Sequence, residues 1–167
     1  VVLNDLMVKA KRVVCHNTVF DREVTEVHMG LHHHCWDDTM VLAFLNNPHG
    51  PLSLKPISEK VLGMPPEEQD KVKDWILRNV KGATSKNFGA HISLAPVELV
   101  APYALGDVIR TAKLFEYYHG LVDTNAYKIE QRLQPVVIDM EQRGVRLDSI
   151  RLERDLGFDR VLWLDDG

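Results

Sequence analysis

The sequence has little of several things, and each shortage excludes a class of protein. Its 167 residues hold two cysteines, Cys15 and Cys35. These are too few and too unpatterned for a disulfide framework or a thiolate zinc site, which fits a reducing compartment. No apolar run reaches the roughly 20 residues that a bilayer-crossing helix requires, and no charged, apolar and small-residue leader opens the chain. Neither a membrane partner nor secretion is therefore expected, and the expected location is cytoplasmic. Basic charge is not in excess: 20 Lys and Arg against 24 Asp and Glu leave a net charge of −4. That balance argues against a domain that grips nucleic acid through a broad basic face, so any such contact should be local or bridged by metal. Internal repeats, low-complexity tracts, a Gly-rich phosphate loop and a Ser/His/Asp arrangement are all missing. So is an initiating Met: the chain opens on Val1, which suggests a fragment.

What is there is an ordinary globular composition, 45% apolar and 26% charged, long enough for one domain with a core or one domain plus the start of another. Leu3 to Ala10 reads as a short helix, and Arg12 to His16 as a buried strand. After a polar break at Asn17-Thr18, the spacing of Phe20, Val24, Val27 and Leu31 predicts a helix from Phe20 to Gly30. His32 to Trp36 reads as a second short strand. Asp38 then stands as the N-cap of a helix from Thr39 through Leu45. Leu54, Ile57, Val61 and Leu62 predict a helix ending at Gly63, and Pro65-Pro66 opens a charged helix to about Val80 with Val72, Trp75 and Ile76 as its apolar stripe. Lys81 to Leu94 reads as a loop. The strongest helical signal runs from Pro102, a first-turn proline, to His119, with Leu105, Ile109, Ala112 and Phe115 as its stripe. A last helix runs from Ala126 to Arg143 and meets Gly144. The chain is thus helix-rich, with few strands for an α/β domain.

Two acidic positions stand out by their neighbours. Asp21 lies in the first helical turn beyond a strand, where α/β folds usually place ligand contacts; a carboxylate there is also explained by the helix dipole alone. Tyr103 and Asp107 stand four residues apart and so share one face of one helix, beside the helix-disfavouring Gly106. A solvated helix face explains that pair equally well.

Taken together, Asn17-x-x-Phe-Asp21 and the later Tyr103-x-x-x-Asp107 resemble the second and third motifs of the 3′-5′ proofreading exonuclease domain of family A DNA polymerases, the DNA polymerase I type. The text around them agrees: Cys15-His16 ahead of Asn17, Trp36-Asp37-Asp38-Thr39-Met40, Leu52-Ser53-Leu54, and Glu59-Lys60-Val61-Leu62-Gly63. Gln134 to Asp148 looks like the segment by which such polymerases leave the exonuclease and enter the thumb. The resemblance covers residues 3 to 152. It implies an α/β, RNase H-like exonuclease fold lacking its first strands, divided as a partial exonuclease domain over 1–123, the start of the thumb over 124–152 and a divergent tail over 153–167. It also implies that Asp21 and Asp107 are carboxylates holding two divalent cations, Mg²⁺ or Mn²⁺, which activate a water and stabilise the departing 3′ oxygen. Tyr103 matches the tyrosine that orients the attacking water, and Asn17 the polar residue that positions the strand terminus. The implied partners are a single-stranded DNA 3′ end and the polymerase body, in a bacterial or phage-infected cell.

One departure weighs against activity. The family's first motif, an Asp-x-Glu on an early strand, should precede Asn17 by some tens of residues, and none of the residues before Asn17 carries it. The isolated chain is therefore expected to bind metal weakly and to be inactive or nearly so. Two other readings remain: a degenerate exonuclease fold serving as a structural or DNA-guiding module of a polymerase, and a stand-alone exonuclease of the RNase D or Werner type. Asp165, in an apolar and acidic tail from Phe158 to Gly167, imitates the missing motif without its Glu. Five of the eight histidines fall between His16 and His34; His32-His33-His34-Cys35 reads as an exposed loop or edge, because adjacent strand residues point to opposite faces and zinc needs four converging ligands. The Glu67 to Lys81 run reads as a solvated face whose Lys71, Lys73 and Lys81 are within reach of a phosphate backbone. Trp75, Phe88 and Trp163 read as packing residues.

Overall fold

A computed structural model describes residues 2–156. The expectations for the tail, including Trp163 and Asp165, lie outside the described residues. The chain divides into two compact units, Val1–Gln134 and Pro135–Gly167. The first is mixed α/β and mostly helical. In order it comprises α1 (Val2–Lys9), β1 (Val13–Cys15), α2 (Thr18–Glu23), a π-helical turn (Val24–His28), β2 (Trp36–Asp38), α3 (Thr39–Asn46), α4 (Leu54–Leu62), α5 (Glu67–Asn79), a 3₁₀ turn (Phe88–Leu94), α6 (Val97–His119) and the first half of α7 (Thr124–Arg143). The second unit holds the rest of α7, ended by Gly144 at φ 66°, and α8 (Ser149–Leu156), whose first turn is capped by Asp148. No described helix is long and apolar enough to cross a membrane.

The sheet is a parallel pair, β1 beside β2, with Val13 opposite Trp36, Val14 opposite Asp37 and Cys15 opposite Asp38. Parallel strands need a crossover, which α2 and the π-helical turn supply. The core lies under α6, where Leu42, Ala43, Ile57, Leu114, Tyr118 and Tyr127 pack together and α3, α4 and α5 lean on the same helix. Local chemistry explains the boundaries. Asp38 caps α3 by accepting the Met40 and Val41 N–H groups at 2.8 and 3.4 Å. At the far end of α4, Gly63 turns left-handed at φ 65°, and Met64 N–H reaches back to the Ser58 carbonyl.

Several expectations need correction. β1 is half-buried along its length rather than buried, and the second strand starts at Trp36, past the histidines. In the helix after Asn17, Phe20 and Val27 are exposed, so their helical spacing marks a face this chain leaves uncovered. The helix also changes hydrogen-bond pattern at Val24, where a π-helical turn takes over. The segment from Lys81 contains the 3₁₀ turn rather than loop alone. α6 begins at Val97, so Pro102 lies inside it instead of in its first turn. Its buried residues are Arg110, Thr111, Leu114 and Tyr118, whereas Leu105 and Ile109 are exposed. His33 is buried, not exposed, because both ring nitrogens are taken by backbone groups, among them the carbonyls of Cys35 and Ala10.

Candidate active site

The site starts at the corner between β1 and α2. Asn17 is the one described non-glycine residue with positive φ, at φ 69° and ψ 63°. A left-handed corner of this kind needs anchoring, and Asp38 provides it: Asn17 N–H donates to Asp38 Oδ1 at 3.1 Å and Thr18 N–H to Oδ2 at 2.8 Å. Thr18, fully buried, donates its hydroxyl to the Asp37 carbonyl at 3.2 Å. The corner thereby delivers Asp21 into the first turn of α2, half-buried, with the Cys15 thiol hydrogen-bonded to its carboxylate.

Asp21 lines an open cleft of about 680 Å³, and so does Asp107 from the middle of α6. Val13, Val14 and Cys15 line it from β1, His16 from the residue after it, and Val108, Thr111 and Phe115 from α6. The walls are largely apolar, so charge in the cleft is poorly hydrated. Burial pushes the Asp21 carboxyl up from its usual range, against the Cys15 hydrogen bond and His16; Asp38 pushes the same way as burial. Cys15 is driven up to about 12 by burial and then by the neighbouring Asp21. His16 is lowered by burial, opposed by its bond to the Leu52 carbonyl and by Asp38, Asp107 and Asp21. Its ring is held at both nitrogens, Nδ1 to Thr39 Oγ1 and Nε2 to Leu52 O, each at 2.8 Å.

Tyr103 and Asp107 do share a side of α6, and Lys55 from α4 spans them. Its Nζ lies 4.0 Å above the Tyr103 ring centroid and 3.4 Å from Asp107 Oδ1. Arg110 Nη1 stands 3.8 Å from the same oxygen, which is shielded from solvent and accepts no hydrogen bond among the described residues. Asp107 is therefore already faced by two cations. Asn17 is exposed at the corner, contributing its backbone to Asp38.

Two carboxylates lining one cleft suit Mg²⁺ or Mn²⁺, which favour hard oxygen donors. The donor set is partial, since among the described residues no group of three or more His, Cys, Asp and Glu side chains stands close enough to hold a metal ion. The structure thus brings Asp21, His16 and Asp107 to one cleft and joins Tyr103 to Asp107 through Lys55. Sequence reasoning missed Lys55 and the roles of Cys15, His16 and Asp38. Only Asp38 left a usable signal, as the residue just before a helix.

No family model matches the chain. Comparison with curated proteins does find relatives. The chain is 30% identical over 160 residues to DNA polymerase DpoZ of Acinetobacter phage SH-Ab 15497, across 91% of its own length and 25% of the relative's. This chain is similar to a stretch of phage DNA polymerase. It is also 26% identical over 162 residues to DNA polymerase DpoZ of Salmonella phage PMBT28, across 93% of its own length and 26% of that protein's. The chain spans about a quarter of the length of the curated relatives it matches. The similarity supports a DNA polymerase fragment.

Proposed function

We propose that this chain is a piece of a DNA polymerase and forms part of a 3′-5′ proofreading exonuclease site, in which Asp21 and Asp107 are the metal-binding carboxylates. The observation that carries the reading is that these two residues, from elements far apart in sequence, line the same cleft beside His16. Similarity to two phage DNA polymerases supports the polymerase half. In this reading the fold is RNase H-like, and the remaining acidic donors belong to the polymerase outside this chain.

Bound Mg²⁺ or Mn²⁺ would activate water and stabilise charge on the leaving 3′ oxygen at a phosphodiester. This chain's residues do the rest. Asp21 and Asp107 supply oxygens to one cleft; at Asp21 burial penalises the bare carboxylate charge, so a cation there relieves a cost already present. In this reading Tyr103, one turn before Asp107 with the Lys55 ammonium over its ring, would orient the water through its hydroxyl, and exposed Asn17 sits at the corner where a DNA 3′ end would be positioned. The products are nucleoside 5′-monophosphates, and the isolated 167-residue chain is inactive or nearly so.

The test is 3′-end degradation of single-stranded DNA by the parent polymerase with Mg²⁺ or Mn²⁺. Asp21→Ala and Asp107→Ala should each reduce hydrolysis about 100-fold or more, the scale of losing one electrostatic stabiliser. Unchanged hydrolysis in either variant overturns the assignment. A second reading, a degenerate exonuclease fold kept as a structural or DNA-guiding module, draws support from Lys55 and Arg110 at Asp107. A parent polymerase that extends primers but degrades no 3′ end decides for it.

A further inference from the structure

Three side chains on one face of α7 send their polar ends to the same two buried carboxylates. The Tyr127 hydroxyl donates to Asp37 Oδ1 at 3.0 Å and accepts the Asp38 N–H at 2.9 Å. Gln131 Nε2 donates to Asp37 Oδ1 at 2.9 Å and to the Trp36 carbonyl at 3.0 Å. Gln134 Nε2 donates to Asp38 Oδ2 at 3.0 Å, the oxygen that also accepts Thr18 N–H. Capping α3 engages only Oδ1, which takes Met40 and Val41 N–H together with Asn17 N–H; Oδ2 is shared between Thr18 N–H of the corner and Gln134 of α7. Asp38 is 1% exposed, so water cannot substitute for a lost partner.

α7 also contains its own weak point. Pro135 follows Gln134 directly, inside the helix, and lacks the N–H that would bond the Gln131 carbonyl. The division between the two units falls at the same place.

We infer that Asp38 is the positioning residue of the Asp21 corner, and that α7 sets the geometry of that corner through Gln134 and Asp38. The inference rests on the reading of Asp21 as a site residue. It gives α7 a hold on the exonuclease corner that involves no contact with DNA there. Asp38 acts through the Asn17 and Thr18 amides and not on substrate.

The experiment compares Gln134→Met, an apolar near-isostere, with the starting 167-residue chain by NMR, and pairs this with kinetics in the parent polymerase. Gln134→Met should shift the amide resonances of Asn17, Thr18 and Asp21 while leaving those of α5 in place. In the parent it should lower kcat for 3′-nucleotide release several-fold with KM unchanged. Asp38→Asn, a second variant, should speed amide exchange at Asn17 and Thr18 about ten-fold or more, the size of a lost bond to a buried charged acceptor. Shifts confined to α7 and Asp38, or a change in KM alone, overturn the coupling. If Asp21→Ala leaves hydrolysis intact, the exonuclease reading fails, while the resonance shifts still judge the link from α7 to the corner.

Discussion

Removing a single oxygen at Tyr127 tests the buried network most directly. The hydroxyl serves two partners, the Asp37 carboxylate and the Asp38 N–H, and the side chain is 8% exposed. In Tyr127→Phe, Asp37 Oδ1 keeps Gln131, but the Asp38 N–H is left buried with no acceptor in place of the hydroxyl. A buried orphan donor costs about 1–3 kcal/mol, and a bond to a charged group contributes about 1.5–3. With overlap between the two terms, we expect a loss of about 2–3 kcal/mol. Urea unfolding followed by circular dichroism measures it; with a slope of about 1–3 kcal/mol per molar, the midpoint should fall by roughly 1 M. Tyr117→Phe is the control, because Tyr117 is largely exposed, and its change should stay within about 0.5 kcal/mol. The phenol also predicts a pH dependence. Burial first, and then the Asp37 carboxylate, raise the Tyr127 hydroxyl far above its ordinary range, against the bond from the Asp38 N–H. A proton is therefore held in the folded state that the unfolded state releases near pH 10. Stability from this group is complete below that pH and declines as pH rises beyond it. The decline should be shallower in Tyr127→Phe, what is left coming from Cys15 and Tyr118, which burial also raises. A midpoint shift no larger than that of Tyr117→Phe, or an alkaline decline as steep as before the substitution, refutes the network as described.

Two further outcomes follow from the cleft. Cys15, pushed up to about 12, should carry roughly a thousand-fold less thiolate than an ordinary cysteine near pH 8, so alkylation followed by mass spectrometry should leave it unlabelled under conditions that modify a model thiol; rapid labelling contradicts the burial. Asp21 is raised chiefly by burial, so its charge costs stability above the ordinary carboxylate range and nothing once protonated. Asp21→Asn should accordingly raise Tm at pH 7, with the gain disappearing toward pH 3, and an equal gain at both values rules that explanation out.

Much of the fold can be read residue by residue. Asp38 ahead of Thr39, Gly63 after Leu62 and Gly144 after Arg143 each mark a boundary that the backbone obeys, because capping and left-handed turns are local chemistry. Val72 and Ile76 are both fully buried, as the charged helix they sit in requires. α6 was harder. Its two apolar sides serve different surroundings, with Leu114 and Tyr118 in the core and Val108 and Ala112 at the cleft. One averaged stripe cannot separate them. Pro102 misled because proline's preference for a first turn is statistical, while the helix starts at Val97, where the Pro96 carbonyl accepts the Leu99 and Val100 N–H groups. The site divides in the same way. Helical spacing places Tyr103 and Asp107 together, but nothing local announces that Gln134 reaches Asp38 or that Lys55 faces Asp107. Hydropathy ranks such residues as surface, and only their distant partners make burial tolerable.

The left-handed backbone at Asn17 bears on how any substitution there is interpreted. Alanine removes the amide but keeps the Cβ that crowds the following carbonyl in that conformation, a crowding of about 1–2 kcal/mol that asparagine tolerates better than alanine. Glycine removes the amide and relaxes the chain. A scan relying on alanine alone would mix loss of a DNA contact with deformation of the bend, whereas the alanine and glycine pair separates the two.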